Sequence, residues 1–564
     1  MSILLKIKDL FRKRKYGDYI APDEIFIDST NIPDHDGDMF EGNIEKPIHK
    51  SSIYAVLIVF FIIALVYISK VFILSVKEGE YYSLRSEKNI LRPVPIFAGR
   101  GVIYDRNNLP LAFNVPSENE ISTRSYATST GLSHVLGYVN YPTKDKNGFY
   151  YRNDFEGADG VEKYYNSELS GENGSRLIEV DSQNKVISQN TIRKAESGKN
   201  LVLSIDSRVE SALYRNIKDV ATRVGFKGGA GIIMDVNTGE VLAMTSYPEY
   251  NSQIMSDKTD KEEINRYLKD SGLPFLNRVL NGLYIPGSIV KPYVALGVLN
   301  EGLIDSKTII HTVGQIEIQN PYDKTKSTIF KDWKNLGDLN MTGAISMSSD
   351  AYFYIVGGGY KDQKGLGILR LDKYFRLFGL ASPVTDSFFS GKSGNIPTPE
   401  WKKQTFNEDW FVGNTYHTAI GQYGMLVTPV EMVRAVSAIA NRGIILKPSI
   451  LKDTRANIER KITEIKDEYY DVVRDGMRKS AVEGTGKNLN LPFVTIATKT
   501  GTAELGVSKE NVNSWVTGYF PYEKPHYAFA VIMENGSVHN VIGAVAVMRE
   551  QFEWMNANTP EYLK

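Results

Sequence analysis

A serine three residues ahead of a lysine places hydroxyl and amine on one face of a helix, where a neutral amine can take the hydroxyl proton and make the serine a nucleophile. The 564-residue chain has this spacing at Ser182 to Lys185, Ser288 to Lys291 and Ser449 to Lys452. Context separates them. Ser182 lies in the polar run Asp-Ser-Gln-Asn-Lys, and Ser449 follows Pro448 in a short strand-like stretch; both read as bland. Ser288 follows Tyr284-Ile285-Pro286-Gly287 and opens the apolar run Ile289 to Leu296, so a turn leads into a helix there. A serine at a helix start feels the positive end of the dipole, and Lys291, one turn in, can be desolvated and lose its proton at neutral pH.

Such a nucleophile needs a cationic strand that holds an anionic substrate end and lends a backbone N–H to the oxyanion. Lys392-Ser393-Gly394 lies among Ser, Gly, Asn and Pro, whereas Lys499-Thr500-Gly501-Thr502 directly follows the strand-like Phe493 to Thr498. The second has the right setting. Between these motifs in sequence, Ser348-Ser349-Asp350 precedes the aromatic run Ala351-Tyr352-Phe353-Tyr354. Competing chemistries fall away. There is no His-Glu-x-x-His and no Gly-x-Ser-x-Gly, and Gly391-Lys392-Ser393 has Asp386 where a phosphate loop needs its first glycine. With no cysteine, thiolate nucleophiles, disulfides and cysteine-held metals are excluded.

The elements that must position these groups are legible in outline. Gly231 to Val236 and Glu240 to Met244 are apolar runs joined by Asn237-Thr238-Gly239, a tight hairpin. Strands return at Phe493 to Thr498, Trp515 to Phe520 and Tyr527 to Met533, and Ala544 to Met555 has helical spacing. Strands at both ends of this region with helices between them predict an α+β domain whose sheet joins distant parts of the chain. Residues 77 to about 200 alternate short strand-like runs with Gly, Asn and Asp clusters, as in an extended stalk. Residues 53–74 are apolar apart from Ser69-Lys70 and long enough to cross a membrane as an uncleaved anchor. Lys6, Lys8, Arg12, Lys13, Arg14 and Lys15 place the N-terminus inside. Residues 17–45 read as a flexible tail, and 66 basic residues balanced by 66 acidic ones disfavour a nucleic-acid partner.

In the order Ser-x-x-Lys, Ser-x-Asp, Lys-Thr-Gly, these groups match the serine-acylating site of penicillin-binding proteins and β-lactamases. From about Arg92 to Met555 the chain resembles the class B penicillin-binding proteins, and within them the elongation-type branch, penicillin-binding protein 2. The resemblance rests on Arg100 to Asn107, Gly157 to Tyr165 with Leu169-Ser170-Gly171, Phe330 to Lys334, Ile396-Pro397-Thr398 with Trp401-Lys402, and Ala419 to Gln422 leading to Thr428-Pro429. Three positions depart from it. Asp350 replaces the commoner Asn, Asn513 or Ser514 stands where some relatives carry His, and the stretch between Arg106 and Gly157 is short where elongation-type relatives insert a head.

The resemblance implies a tail (1–52), a single transmembrane helix (53–74), a mixed stalk or pedestal with a reduced head (75–225), and a transpeptidase domain with a central antiparallel sheet flanked by helices (226–564). It further implies a D,D-transpeptidase outside the cytoplasm, inhibited by β-lactams, that cross-links stem peptides during cell-wall elongation without metal or organic cofactor. Ser288 would attack the penultimate D-alanine carbonyl, with Lys291 as base and a neighbouring stem's amine resolving the acyl-enzyme. Ser348 would relay a proton, with Asp350 completing its motif, and Lys499 would shape the field. Thr500 and Thr502, flanking Gly501, would hold the substrate carboxylate, and the amides of Ser288 and Thr502 would form the oxyanion hole. A membrane-embedded glycan polymerase is the expected partner, meeting the retained stalk segments Arg100 to Asn107 and Gly157 to Gly171. The alternatives are a β-lactam-binding hydrolase or carboxypeptidase, for which no deacylating Glu motif is found, and a catalytically silent scaffold or sensor.

Overall fold

The computed structural model describes residues 49–83, 91–117, 121–146, 150–180, 186–320, 323, 325–385, 387–453, 455–506 and 508–564. Residues 1–48 of the expected tail lie outside them. Helix α1 (Lys50–Phe72) runs on through a π-helical turn, Ile73–Lys77, and none of its residues is buried. The 28 residues from Lys50 to Lys77 enclose the expected span and contain an 18-residue stretch of mean hydropathy 2.8; among the described residues this is the one helix long and apolar enough to cross a membrane. Ser69 Oγ donates to Leu65 O at 2.7 Å, so its hydroxyl is satisfied inside the helix.

Residues 91–564 form a second unit. Its first part is built of small sheets, as the punctuated sequence predicts. Leu91–Ile96, Gly174–Val180 and Val186–Arg193 make an antiparallel sheet, and Ile103–Tyr104, Pro110–Val115, Thr123–Tyr126 and Leu201–Val202 make a mixed one, in which Leu201–Val202 runs parallel to Ile103–Tyr104. A buried ion cluster locks this part: Glu162 accepts from Arg100 Nε at 2.5 Å and from Arg124 Nε at 2.8 Å, with all three side chains shut off from solvent. Arg106 pairs with Glu240 at 3.3 Å, and Asp105 accepts from Ser207 Oγ at 2.8 Å. The segment Arg100 to Asn107 is therefore a joint between the stalk and the following domain. Arg100 is sealed inside the stalk by Glu162, and Arg106 is engaged by Glu240.

Helix α2 (Ser207–Val224) starts at Asp206, whose side chain caps it by accepting from Arg208 N at 3.0 Å. Burial works against this carboxylate, but hydrogen bonds from Arg208, Asn107 and Tyr562 outweigh it and hold its pKa at about 2. Then come β1 (Gly228–Asp235) and β2 (Val241–Tyr247), the expected hairpin, turned by Asp235 Oδ1 accepting from Asn237 N and Thr238 N and by Gly239 at φ +86°. Helices α3 (Lys291–Asn300), α4 (Met341–Met347), α5 (Asp350–Gly358), α6 (Pro429–Ala440) and α7 (Asp467–Val482) follow. The chain closes with β3 (Ala497–Leu505), β4 (Asn511–Phe520), β5 (Tyr527–Ser537) and α8 (Ala544–Asn558).

The five strands form one antiparallel sheet, in the order β2-β1-β5-β4-β3, so the sheet joins distant parts of the chain as expected. Both faces are covered. Along β5, Ala528, Ala530 and Ile532 enter the core on the α6 side, while Phe529, Val531 and Met533 join Val209, Leu213 and Ile217 of α2 and Phe552 of α8. A strand buried on both faces reads as a continuous apolar run, which is why Tyr527 to Met533 was visible in sequence. Helix α2 thus packs on this sheet, although its residues precede the boundary expected at 226.

Candidate active site

Ser288 lies in a 3₁₀ turn, Gly287–Val290, that leads directly into α3, with Pro292 near the helix start where no amide is lost. Close approach fixes this turn. Gly287 has φ +59°, and a Cβ there would stand 2.9 Å from Thr502 O; a Cβ on Gly501 would stand 2.8 Å from Pro286 O. The turn bearing Ser288 therefore lies flush against β3 with glycine on both sides. Trp515 Nε1 on β4 donates to Ile285 O at 3.0 Å and ties the loop before the turn to the sheet.

Lys291 is fully buried on α3. Its Nζ donates to Ser348 O at 2.7 Å and to Asp350 Oδ1 at 2.6 Å. Ser348 terminates α4 in the left-handed region at φ 57°, and Ser349 caps α5 by accepting from Tyr352 N. Asp332 holds this junction. Its Oδ2 accepts from Ser349 Oγ at 2.6 Å and Ala351 N at 3.0 Å, its Oδ1 accepts from Trp333 N at 2.8 Å, and Trp333 Nε1 donates to Met347 O at 3.2 Å.

The Lys-Thr-Gly motif lies within β3, not after a strand as the sequence predicted. Phe493 to Ile496 remain outside it, because pairing with β4 starts at Ala497 opposite Tyr519. Lys499 is fully buried; its Nζ donates to Ser348 Oγ at 2.7 Å and Thr500 O at 2.8 Å. Burial, then the neighbouring Lys291 cation, pushes Lys499 well below the usual lysine range, with Asp350 opposing them. Thr500 Oγ1 donates to Thr485 Oγ1 at 2.7 Å, and Thr485 N donates to Ser346 O at 3.2 Å, so the loop after α7 bridges β3 and the end of α4.

A cleft of about 1180 Å³ is lined by Ser288, Ser348, Asp350, Thr485, Thr500, Gly501 and Thr502 and extends to Trp333, Tyr354, His417 and Glu504. It brings together six of the eight expected site residues, while Lys291 and Lys499 lie beneath them, joined through Ser348. The rival motifs lie elsewhere. Ser449 and Lys452 belong to a joint, with Ser449 Oγ donating to Leu451 O and Lys452 Nζ to Arg106 O, and Ser182 and Lys185 fall outside the described residues. Lys392-Ser393-Gly394 is a loop fixed by Lys392 N on Leu280 O and Gly394 N on Glu431 Oε1. Sequence reasoning missed the supporting roles of Asp332 and Thr485 and the place of His417 in the cleft. Asp332 was within reach, since Asp-Trp-Lys was one of the family-like stretches; Thr485 carries no signal beyond its Gly484-Thr485-Gly486 setting. A nucleophilic hydroxyl, two buried lysines and a hydroxyl pair on a strand edge can acylate a serine and hold an anionic leaving end.

Residues 229–549 match the model of the penicillin binding protein transpeptidase domain, and residues 117–203 that of the penicillin-binding protein dimerisation domain. Peptidoglycan D,D-transpeptidase MrdA of Escherichia coli K12 is 26% identical over 590 residues, covering 85% of this chain and 90% of its own. Among solved structures, Pseudomonas aeruginosa PBP2 in complex with WCK 5153 is 28% identical with a TM-score of 0.68, covering 84% of this chain and 98% of its own. Helicobacter pylori PBP2 in complex with MreC is 25% identical with a TM-score of 0.68, covering 83% and 99%.

Proposed function

The chain belongs to the penicillin-binding protein transpeptidase family, and on that premise we propose how its residues divide the work of a serine-type peptidoglycan D,D-transpeptidase. The observation that carries the proposal is the placement of Ser348 between two buried lysines, its carbonyl on Lys291 Nζ and its hydroxyl on Lys499 Nζ. A neutral Lys291 has two N–H donors, which Ser348 O and Asp350 Oδ1 consume, and one lone pair, which is left for the Ser288 proton. Ser288 then attacks the penultimate D-alanine carbonyl of a stem peptide, and its own amide with that of Thr502 receives the oxyanion. Lys499 supplies the field, Thr500 and Thr502 hold the terminal carboxylate, and Ser348 passes the proton to the leaving amine. A β-lactam follows the same first step and stays on Ser288.

By the one long apolar helix among its described residues and by its relatives, the chain is a single-pass membrane protein. We place the N-terminus inside, from the basic cluster between Lys6 and Lys15, with residues 91–564 outside the cytoplasm and the stalk giving way to the catalytic domain where α2 begins. The relative bound to MreC supports work within the elongation machinery, and a membrane-embedded glycan polymerase is the partner we propose there. Gel-based labelling with a fluorescent penicillin, parent beside Ser288→Ala, tests the reading: a band lost only in the variant supports it, and an unlabelled parent refutes it.

A further inference from the structure

We propose, resting on the transpeptidase reading, that Glu504, with His417 and Tyr354 across from it, receives the ammonium of the acceptor strand. Resolving the acyl-enzyme requires an amine that arrives protonated. Alternation along β3 puts Thr500, Thr502 and Glu504 on one face, and all three line the cleft. Glu504 thus lies two residues, about 7 Å, beyond Thr502 along the same edge. The cleft also holds a cluster of rings: His417 lies 5.3 Å from Phe330 and 6.4 Å from Tyr354, and Phe330 lies 5.8 Å from Tyr354. A carboxylate beside aromatic faces is the combination that recognises a primary ammonium.

One such ammonium is already on Glu504. Lys509 Nζ sits 2.6 Å from Glu504 Oε2, with both side chains well exposed, 64% and 47%. An exposed pair of this kind is weak, so an incoming amine can displace Lys509. The other carboxylates of the cleft are engaged, Asp350 with Lys291 and Asp332 with the Ser349 hydroxyl and the Ala351 amide. His417 faces Lys509, Asp350 and Glu504 besides the two rings; burial first and then Lys509 lower its pKa, so it is neutral at neutral pH and does not repel the ammonium. The step balances: the C–N bond forms as the C–Oγ bond to Ser288 breaks, one ammonium proton goes to Ser288 Oγ, and one leaves through the imidazole to solvent.

The test uses the full-length chain in detergent, an acyl-D-alanyl thioester as donor, and a peptide with one free primary amine as acceptor. Penicillin acylation, which needs no acceptor, is followed alongside as the check on folding. Glu504→Gln is expected to raise the acceptor KM about tenfold or more and to shift product from aminolysis to hydrolysis, with Glu504→Asp recovering part of the loss. Lys509→Gln is expected to lower the acceptor KM, and His417→Gln to lessen the fall in aminolysis on acidification. An unchanged acceptor KM and product ratio in a Glu504→Gln protein that still takes penicillin would overturn the proposal. A parent chain that takes no penicillin would instead sink the transpeptidase reading, and this proposal with it.

Discussion

Lys499 Nζ donates to Ser348 Oγ at 2.7 Å across 151 residues of sequence. Lys291 Nζ meets the carbonyl of the same serine at 2.7 Å, so one residue on the left-handed corner between α4 and α5 gathers both lysines. Among the described residues, the one carboxylate bonded to either amine is Asp350, on Lys291. The first motif's lysine is thereby oriented by the second motif, and the second by the third.

Lys291→Arg keeps the charge but cannot deprotonate in this setting. Acylation by penicillin is expected to fall by about a hundredfold or more, the range ascribed to a positioned general base. Stopped-flow acylation across pH checks this; a variant acylating at the parent rate would show that charge alone suffices.

Lys499→Met is expected to inactivate and stabilise at once. Burial lowers the folded-state pKa of Lys499 well below 10.5. Between that lowered value and 10.5 the unfolded chain binds more protons, so parent stability rises with pH across this window. The variant lacks the dependence. Its lead, about 1 kcal/mol or more by analogy with buried ions replaced by apolar groups, is largest on the acid side and shrinks as pH climbs toward 10. Denaturant midpoints at several pH values decide it; a variant less stable than the parent throughout would contradict the assignment.

Asp332→Ala removes the acceptor shared by Ser349 Oγ, Ala351 N and Trp333 N. Leaving such donors unpaired costs about 1–3 kcal/mol. Stability is expected to drop by that order and penicillin acylation to slow, because the Ser349–Ala351 turn next to Ser348 loses its acceptor. Chemical denaturation with acylation rates measures both; parent-like acylation would remove Asp332 from the site's support.

How legible these parts were depended on what made them necessary. Ser288, Lys291 and Lys499 were readable because few residue types do their chemistry and the spacing is short-range. Asp332 and Thr485 act on neighbours 17 and 15 residues away through folds no local pattern encodes. The start of β3 was misplaced because Phe493 to Ile496 are strand-like by type, whereas pairing with β4 sets the true limit. The burial of Arg100 and the pairing of Arg106 carried no sequence signal, because Glu162 and Glu240, which draw them in, lie far along the chain.

Thr500→Ala with Thr502→Ala removes two hydroxyls from the cleft face of β3, each worth about 1.5–3 kcal/mol toward a carboxylate. Ser393→Ala, in the rival loop, is expected to be nearly silent. Acylation efficiency with a penicillin compares them; an equal loss in both would contradict the assignment of the substrate carboxylate to β3.

The most direct measurement is peptide mass spectrometry of the full-length chain after penicillin treatment. The adduct is expected on the peptide carrying Ser288 and to vanish in Ser288→Ala. An adduct on Ser449 or Ser182, or undiminished labelling of Ser288→Ala, would contradict the account.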